Sequence, residues 1–535
     1  MHEHDRLSTG ISGLDEVLGS GLLRERAYMV TGGAGTGKTI VGLHFLTAGV
    51  EAGEDVLFVA FEEDPADLAA DAAGLGFDTS EITFLDLSPD ADRFVADESY
   101  DVFEPDVVEG SGVTARIVEA VEETDPDRVF VDPLTHLQYL APDEYQYRQE
   151  VAGFVQYLTE AGATVLFSSQ AAIEGERATL EYLCDGSIKL AHAPKGRTVE
   201  VTKLRGSDFL SGAHTVRITD EGMAVFTKLS PDAHGRDRAS RTLSSGVDEL
   251  DELLHGGIEG NTVTVVSGPS GVGKSTTSTQ FASEAAARGE RAVFYLFEET
   301  RDTFVRRSEG VGIPIEDLEA EGTLAVEEVE PLSISPDEFA QRVRTQVEER
   351  DAEFVVIDGI SGYRLSIRGD ESELVRELHA LGRYLKRMSV SAIFVDDLDS
   401  VTGDFEPTSS NISYLADNLL FLRYLEAYGE LRKAIGVLKK RTGDFERTLR
   451  EFEIVDDGVH VGERLTGLRG ILTGTPEWGT DRPFGPEGVG DADADSEPGG
   501  PSDRSDSSAF GGRSDRSDGP GSGDRSDRPD SFDDE

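Results

Sequence analysis

Gly32-Gly33-Ala34-Gly35-Thr36-Gly37-Lys38-Thr39 fits G-x-x-x-x-G-K-[ST], the pattern of a phosphate-binding loop. It follows an apolar run, Ala27 to Val30, and precedes a helix-like segment, Ile40 to Val50. That strand–loop–helix context is what the motif requires. The glycines let successive backbone N–H groups turn inward around phosphate oxygens. Lys38 adds a point charge for the terminal phosphates, and Thr39 offers a hydroxyl to Mg²⁺. The helix N-terminus adds the positive end of its dipole. A glycine-rich turn can match such a pattern by chance, but here the motif recurs as Gly268-Pro269-Ser270-Gly271-Val272-Gly273-Lys274-Ser275.

The two loop lysines lie 236 residues apart, and other features repeat at the same offset. Leu7, Gly10, Asp15 and Gly21 recur as Leu243, Gly246, Asp251 and Gly257. Glu62-Glu63 recurs as Glu298-Glu299, and Lys203 with Arg205 recurs as Lys439 with Arg441. So long a period means two duplicated domains, not a solenoid, and each unit can hold its own core. The expected organisation is a first domain over 1–229, a polar linker over 230–240, a second domain over 241–475 and a tail over 476–535. From Asp481 onward the composition collapses to Asp, Ser, Gly, Arg and Pro, and no Val, Ile, Leu or Met follows Val489. Such a segment cannot offset its ordering entropy by burial, so the acidic tail is expected to be disordered.

The 535-residue chain has a formal net charge of −55. The tail from Asp481 holds 16 acidic and 6 basic residues, so most of the excess lies on the folded part. A whole surface that is acidic, with ten lysines against forty arginines, resembles a protein of a salt-accumulating halophile. Molar salt screens such self-repulsion. An ordinary protein with an acidic partner-binding face is the alternative. Four of the ten scarce lysines occupy repeated motif positions: Lys38, Lys274, Lys203 and Lys439. The single cysteine, Cys184, excludes an internal disulfide and any cysteine-built zinc cluster. It sits in an apolar stretch and reads as a buried filler. There is no run of 18 apolar residues and no leader sequence, so a soluble, cytoplasmic protein is expected.

Taken in order, each copy then presents acids at the ends of apolar strands. Asp55 to Phe61 ends in Glu62-Glu63, and Ala292 to Phe297 ends in Glu298-Glu299. A carboxylate there can reach a γ-phosphate and accept a proton from an attacking water or hydroxyl. The bland alternative is a solvated helix N-terminus, which also favours acids. Asp64 to Asp106 is poorly patterned and reads as an outer insertion with one short strand, Ile82 to Leu87. Helices are expected at Gly112 to Glu123 and Tyr147 to Glu160. Arg128-Val129-Phe130-Val131-Asp132 and Phe354-Val355-Val356-Ile357-Asp358 are apolar runs, of three and four residues, closed by an acid. That suits a parallel strand covered on both faces, with Asp132 or Asp358 positioned to hold Mg²⁺ directly or through water. Ala163 to Phe167 ends in Ser168-Ser169-Gln170, whereas Ala392 to Val395 ends in Asp396-Asp397. Two extra acids would repel phosphate unless a cation intervenes. Lys203-x-Arg205 and Lys439-x-Arg441 put two cations on one face of a strand.

Residues 7 to 22, Leu-Ser-Thr-Gly-Ile-Ser-Gly-Leu-Asp-Glu-Val-Leu-Gly-Ser-Gly-Leu, and their repeat at 243 to 258 carry a family resemblance. Placed ahead of a phosphate loop, this stretch resembles the RecA-type ATPase domain of the circadian-clock KaiC family, over about residues 5 to 475. The resemblance implies an α/β fold of two tandem RecA-like domains with mostly parallel twisted sheets. It implies Mg²⁺-dependent ATP hydrolysis, with Glu62, Glu63, Glu298 and Glu299 catalytic and ATP held between subunits of a ring, as in a hexamer. It implies that Lys203, Arg205, Lys439 and Arg441 act on the γ-phosphate bound by a neighbouring subunit. It also implies serine/threonine autokinase activity in the second domain. Ser413 falls on the modified serine of the family, Tyr414 replaces the threonine, and Thr408, Ser409 and Ser410 lie upstream. Protein partners in a signalling pathway would follow. Two rivals share the motifs. A DNA recombinase or helicase of the RecA/DnaB type needs a basic path, which the sequence lacks beyond Lys439-Lys440-Arg441. A non-catalytic scaffold would bind ATP only to assemble.

Overall fold

The structure, a computed structural model, describes residues 6–88, 108–140, 143–170, 180–193, 196–230, 235–237, 239, 241–367, 371–398, 407–409, 412–427, 429–456, 458–466, 468–469 and 477–478. The first half forms a nine-stranded sheet from β1 (Ala27–Gly32), β2 (Val56–Ala60), β3 (Thr83–Asp86), β4 (Arg128–Asp132), β5 (Thr164–Gln170), β6 (Gly186–Ala193), β7 (Gly196–Leu204), β8 (His214–Thr219) and β9 (Gly222–Phe226). Their order is β3-β2-β4-β5-β1-β6-β7-β8-β9. The strands from β3 to β6 are parallel, and β7 to β9 extend the sheet antiparallel.

The second half repeats this plan strand for strand. Its members are β10 (Val263–Pro269), β11 (Ala292–Leu296), β12 (Leu324–Glu328), β13 (Phe354–Asp358), β14 (Ser391–Leu398), β15 (Asn418–Ala427), β16 (Glu430–Lys440), β17 (Arg450–Val455) and β18 (Gly458–Arg464). The order β12-β11-β13-β14-β10-β15-β16-β17-β18 is that of the first sheet. The expected α/β architecture, two tandem RecA-like domains with mostly parallel sheets, is the one observed.

The central strands are largely apolar because both faces are covered; Arg128, which opens β4, is buried in an ion pair with Glu54. In the first half Tyr28, Val30, Phe58, Phe130 and Leu166 pack with Phe45 and Leu46 of α1 (Lys38–Glu51). The alternate residues Met29, Leu57, Val59, Val129, Val131, Val165 and Phe167 pack on the opposite face with Val151, Val155 and Leu158 of the helix Glu144–Glu160. In the second half α2 (Lys274–Ala287) brings Phe281 and Ala285 against Phe294, Val356 and Ile393. Burying such a Leu, Val or Phe side chain contributes roughly 1.5–3 kcal/mol each. At Gly42 of α1 an added Cβ would come within 2.1 Å of the Phe130 ring, so that helix lies tight on β4.

Several local expectations change. Residues 64 to 106 are not simply an outer insertion. Asp64 caps the helix Pro65–Gly74 by accepting from the Ala66 N–H, and β3 closes the sheet edge. The helices Arg301–Glu309 and Ile315–Ala320 with β12 occupy the matching place in the second half. The pattern is weak there because an edge strand is only half-buried; residues 89–107 lie outside the described residues. Helices at 40–50, 112–123 and 147–160 extend to Lys38–Glu51, Val108–Thr124 and Glu144–Glu160. Cys184 is buried, and burial pushes its thiol up to about 11. Arg236, in the segment read as a linker, is docked: its backbone N–H donates to the Arg387 carbonyl at 2.8 Å and its guanidinium pairs with Asp351 at 2.6 Å. In the C-terminal stretch Leu468–Arg469 pairs antiparallel with Glu477–Trp478, and the rest of the tail lies outside the described residues.

The two halves touch through α3 (Pro336–Glu348). Thr215 on β8 donates to Asp337 at 2.7 Å, Arg217 pairs with Glu338 at 3.0 Å, and Arg344 pairs with Glu16 at 2.6 Å. No helix among the described residues is long and apolar enough to cross a membrane.

His44 ties α1 to β9. Its Nε2 accepts the Met223 N–H at 2.8 Å, and its ring meets the edge of Phe77 at 4.7 Å. Burial lowers its pKa from 6.5 to about 4. The neutral ring is the one that fits. Its contribution is therefore complete above pH ~6.5 and is lost as the pH falls towards 4. An NMR titration of the His44 ring is expected to show a midpoint near 4; a midpoint near 6.5 would contradict this packing.

Candidate functional site

Each phosphate loop joins the central strand of its sheet to the helix behind it. Gly37 and Gly273 cap α1 and α2 with φ of +99° and +119°, the left-handed region that glycine tolerates best. A Cβ at either would come within 2.7 Å of a packed side chain, Met223 in one half and Ile454 in the other. Around Gly33 and Gly35 there is open space, which leaves the backbone free to approach a ligand. Lys38 donates to the Gly33 carbonyl at 3.1 Å, and Lys274 to the Pro269 carbonyl at 3.0 Å. In both halves the lysine thus folds back over its own loop, Gly32 to Thr39 or Gly268 to Ser275.

The strand ends bring the acids to the same place. Thr39 donates to Asp132 at 2.6 Å, and Ser275 donates to Asp358 at 3.0 Å. A hydroxyl beside a carboxylate, both oxygen donors, fits a hard cation such as Mg²⁺. A cavity of about 200 Å³ in the first half is lined by Lys38, Thr39, Glu62, Glu63, Asp132 and Gln170, among others. Its counterpart, about 520 Å³, is lined by Lys274, Ser275, Glu298, Glu299, Asp358 and Asp397. Loop, lysine, metal-type oxygens and glutamate pair therefore converge in both halves.

The two glutamate pairs have different surroundings. Glu62 is exposed, 3.4 Å from the Gln170 amide and 3.7 Å from His136 Nδ1. The Glu63 carboxyl is raised by burial, and by the Asp132 charge after that. In the second half Glu298 accepts the Gly362 N–H at 3.1 Å; burial, then the nearby Asp397, raises its carboxyl. Glu299 is instead paired with Arg307 at 2.5 Å. The Arg307 guanidinium also donates to Thr276 at 3.1 Å. Glu298 thus faces the cavity, held by the Gly362 N–H, whereas Glu299 is tied to a guanidinium.

The paired cations do not reach the phosphate loop of their own half. Lys203 is near the end of β7, opposite the start of β6, and β6 begins beside Tyr28, not beside Gly32. Its ammonium donates to the Glu181 carbonyl and, at 2.6 Å, to that of Cys184. Arg205 lies 3.7 Å from Asp185. Lys439 donates to the Ser413 carbonyl at 3.0 Å, and Arg441 pairs with Asp417 at 3.2 Å. Ser413 is half-buried in the short turn Ile412–Tyr414, at this same end of the second sheet. Thr408 is buried, Ser409 is bound to Asp396, and Ser410 lies outside the described residues.

Four functional contacts were missed by sequence reasoning. Ser168 donates to Asp132 from β5, as a short polar residue on the neighbouring strand can. Arg307 enters the second site from a helix that no motif marks. Gly359 follows the metal-type Asp358 in a left-handed conformation, φ +98°, and a Cβ there would lie 2.8 Å from Glu298. The first half has Pro133 at that place, after a cis peptide bond. The fourth is an ion pair, Lys274 with Asp397 at 2.5 Å.

The repeated residues outside the sites have a structural role. Asp15 accepts from Thr9 N–H and hydroxyl, each at 2.7 Å, and Asp251 does the same for Ser245 at 2.8 Å. Gly21 and Gly257 lie so close to the Leu7 and Leu243 carbonyls that a Cβ would clash, at 2.2 and 2.1 Å.

The family described as "ATPase: KaiC" matches twice, over residues 7–230 and 243–466. The chain is 30% identical over 488 residues to the circadian clock protein KaiC3 of Synechocystis sp., covering 88% of this chain and 94% of that protein. It is 30% identical over 487 residues to the circadian clock oscillator protein KaiC of Prochlorococcus marinus, covering 88% and 95%. The corresponding protein of Synechococcus elongatus is 28% identical over 484 residues, covering 88% and 92%.

Asp358 is buried, and burial pushes its carboxyl from 3.8 up to about 7, with the Ser275 hydroxyl opposing. Its folded pKa exceeds the unfolded one. Its contribution is therefore complete below pH ~4 and is lost as the pH rises through 7. In metal-free buffer Asp358→Asn is expected to raise the unfolding temperature at pH 8 relative to the unsubstituted chain, with the difference shrinking towards pH 4. Calorimetry at both pH values checks this, and a pH-independent difference would contradict it.

Proposed function

The chain belongs to the KaiC ATPase family, and on that premise we propose that it hydrolyses ATP at both sites, within a ring of identical subunits. The observation that carries the reading is the convergence, twice in one chain, of a phosphate loop, a hydroxyl–carboxylate pair and a strand-end glutamate. Lys38 and Lys274 bind the terminal phosphates through their ammonium groups, together with the inward-facing N–H groups of the loops. Thr39 with Asp132, and Ser275 with Asp358, hold Mg²⁺. Held there, the ion would neutralise phosphate charge. Glu62 and Glu298 take the proton from the attacking water. Glu63 supports the first, and Glu299, tied to Arg307, keeps the second pair from closing on the loop.

Lys203, Arg205, Lys439 and Arg441 serve the γ-phosphate of a neighbouring subunit. Their distance from the loop of their own half supports a role in trans, which makes turnover depend on assembly into a ring, in the family a hexamer. Ser413 sits beside Lys439, so a nucleotide brought to these cations by a neighbour would also face that hydroxyl. Transfer of the γ-phosphoryl group to Ser413, with Glu298 accepting the hydroxyl proton, is the autokinase reading. The physiological output is a nucleotide-timed regulatory switch acting on protein partners. The acidic surface, net −55, offers little to a nucleic-acid backbone and sets the assay conditions at high salt.

Incubation with γ-labelled ATP in molar KCl and Mg²⁺ tests both reactions together. Glu62→Gln is expected to lower phosphate release from the first site by about 10²-fold or more, the usual contribution of a general base. Glu298→Gln is expected to remove protein label near Ser413. Phosphate release without label would retain the ATPase and remove the kinase. Binding and assembly without either signal would leave only a scaffold.

A further inference from the structure

The two sites differ at one ladder position. β5 pairs with β1 so that Ser169 stands opposite Thr31 and Gln170 opposite Gly32. β14 pairs with β10 so that Asp396 stands opposite Ser267 and Asp397 opposite Gly268. Thr31 and Gly32 are the repeat partners of Ser267 and Gly268, so Asp397 occupies the place of Gln170. The neutral amide of Gln170 turns towards Glu62. The carboxylate of Asp397 turns to the loop lysine, 2.5 Å from Lys274 Nζ.

Lys274 is buried, and it holds that carboxylate and the Pro269 carbonyl together. Lys38 is more exposed and forms no ion pair with the described residues. Asp397 is not a loosely placed surface acid. Its neighbour Asp396 is buried and clamped by the Ser409 N–H at 2.7 Å and the Ser409 hydroxyl at 2.5 Å, which fixes the end of β14. Glu298 and Asp358 face the same cavity. A terminal phosphate arriving there meets four carboxylates, with Lys274 already paired to Asp397 and Arg307 to Glu299; Lys433 lines the cavity as well.

From this geometry we propose that Asp397 is a specificity-determining residue of the second site, which makes that site take nucleoside diphosphate in preference to triphosphate. The proposal rests on the reading of both loops as nucleotide sites. With a diphosphate, Lys274 can share its charge between the β-phosphate and Asp397, and the pair survives. With a triphosphate, the γ-phosphate and Asp397 compete for the Lys274 ammonium group, and the loser remains a few ångströms from a like charge. In a half-buried site such a like-charge contact weakens binding by roughly one to two orders of magnitude. The first site, with Gln170, carries no such penalty. The second site therefore responds to the ratio of diphosphate to triphosphate, whereas the first accepts either.

The test uses the full chain carrying Lys38→Ala, which leaves the second site to report alone. Binding of ADP and of the β,γ-imido analogue of ATP is measured with Mg²⁺ in molar KCl. ADP is expected to bind about tenfold or more tightly than the analogue. Asp397→Asn, and separately Asp397→Gln, should bring the two affinities to within about threefold, chiefly by tightening the analogue. The reciprocal chain, Lys274→Ala with Gln170→Asp, should shift the first site towards ADP. Equal affinities before substitution, or a preference that persists in both Asp397 variants, would overturn the proposal and leave the nucleotide reading intact. Absence of binding by either nucleotide in both single-lysine variants would overturn the two together.

Discussion

A parallel strand buried on both faces can carry polar groups only at its ends. The rest of this protein depends on that constraint. β1, β2, β4 and β5 are apolar between their ends because helices cover both sides of the sheet. Their polar residues are therefore pushed to the ends, and because the strands are parallel their carboxyl ends, with the acids, lie together. Glu62, Asp132, Gln170 and the phosphate loop are four strand ends meeting at one edge. The second sheet has the same order and gathers Glu298, Asp358, Asp397 and its own loop. The site is a consequence of how the core is covered, and duplicating the core duplicated the site.

Gathering acids this way has an electrostatic cost, and the two halves meet it differently. In the first half the acids stay near solvent and are separated by neutral groups: Ser168 binds Asp132, and Gln170 lies beside Glu62. In the second half the larger cavity holds one more carboxylate, and two cations are drawn in to balance it. Lys274 is paired with Asp397, and Arg307 with Glu299. One plan thus yields an open site and a charge-locked one. The contacts of α3 with β8 and with Glu16 join the halves.

Much of this was legible in the sequence. The loops, their repeat and the apolar runs closed by acids determined the fold class and most of the site. Each signal is local: a glycine spacing, or a strand pattern ending in a charge. What escaped was set by contacts between distant segments. Residues 64 to 88 seemed patternless because an edge strand is half-exposed, yet they complete the sheet. Arg236 seemed part of a free linker, but its docking on Asp351 depends on a turn over a hundred residues away. The acids Asp396-Asp397 were visible as a departure from the first copy. That one would be capped by Ser409 and the other would hold Lys274 required the ladder register and the side-chain directions. Arg307 lies on a helix whose sequence says only that it is amphipathic and charged.

The central claim is that this one chain builds two nucleotide sites from two equivalent sets of strand ends. The most direct test is the stoichiometry of binding of a non-hydrolysable triphosphate with Mg²⁺, by equilibrium dialysis at saturating concentration in molar KCl. The account predicts two nucleotides per chain, filling at different concentrations. One per chain at saturation, or none, would contradict it.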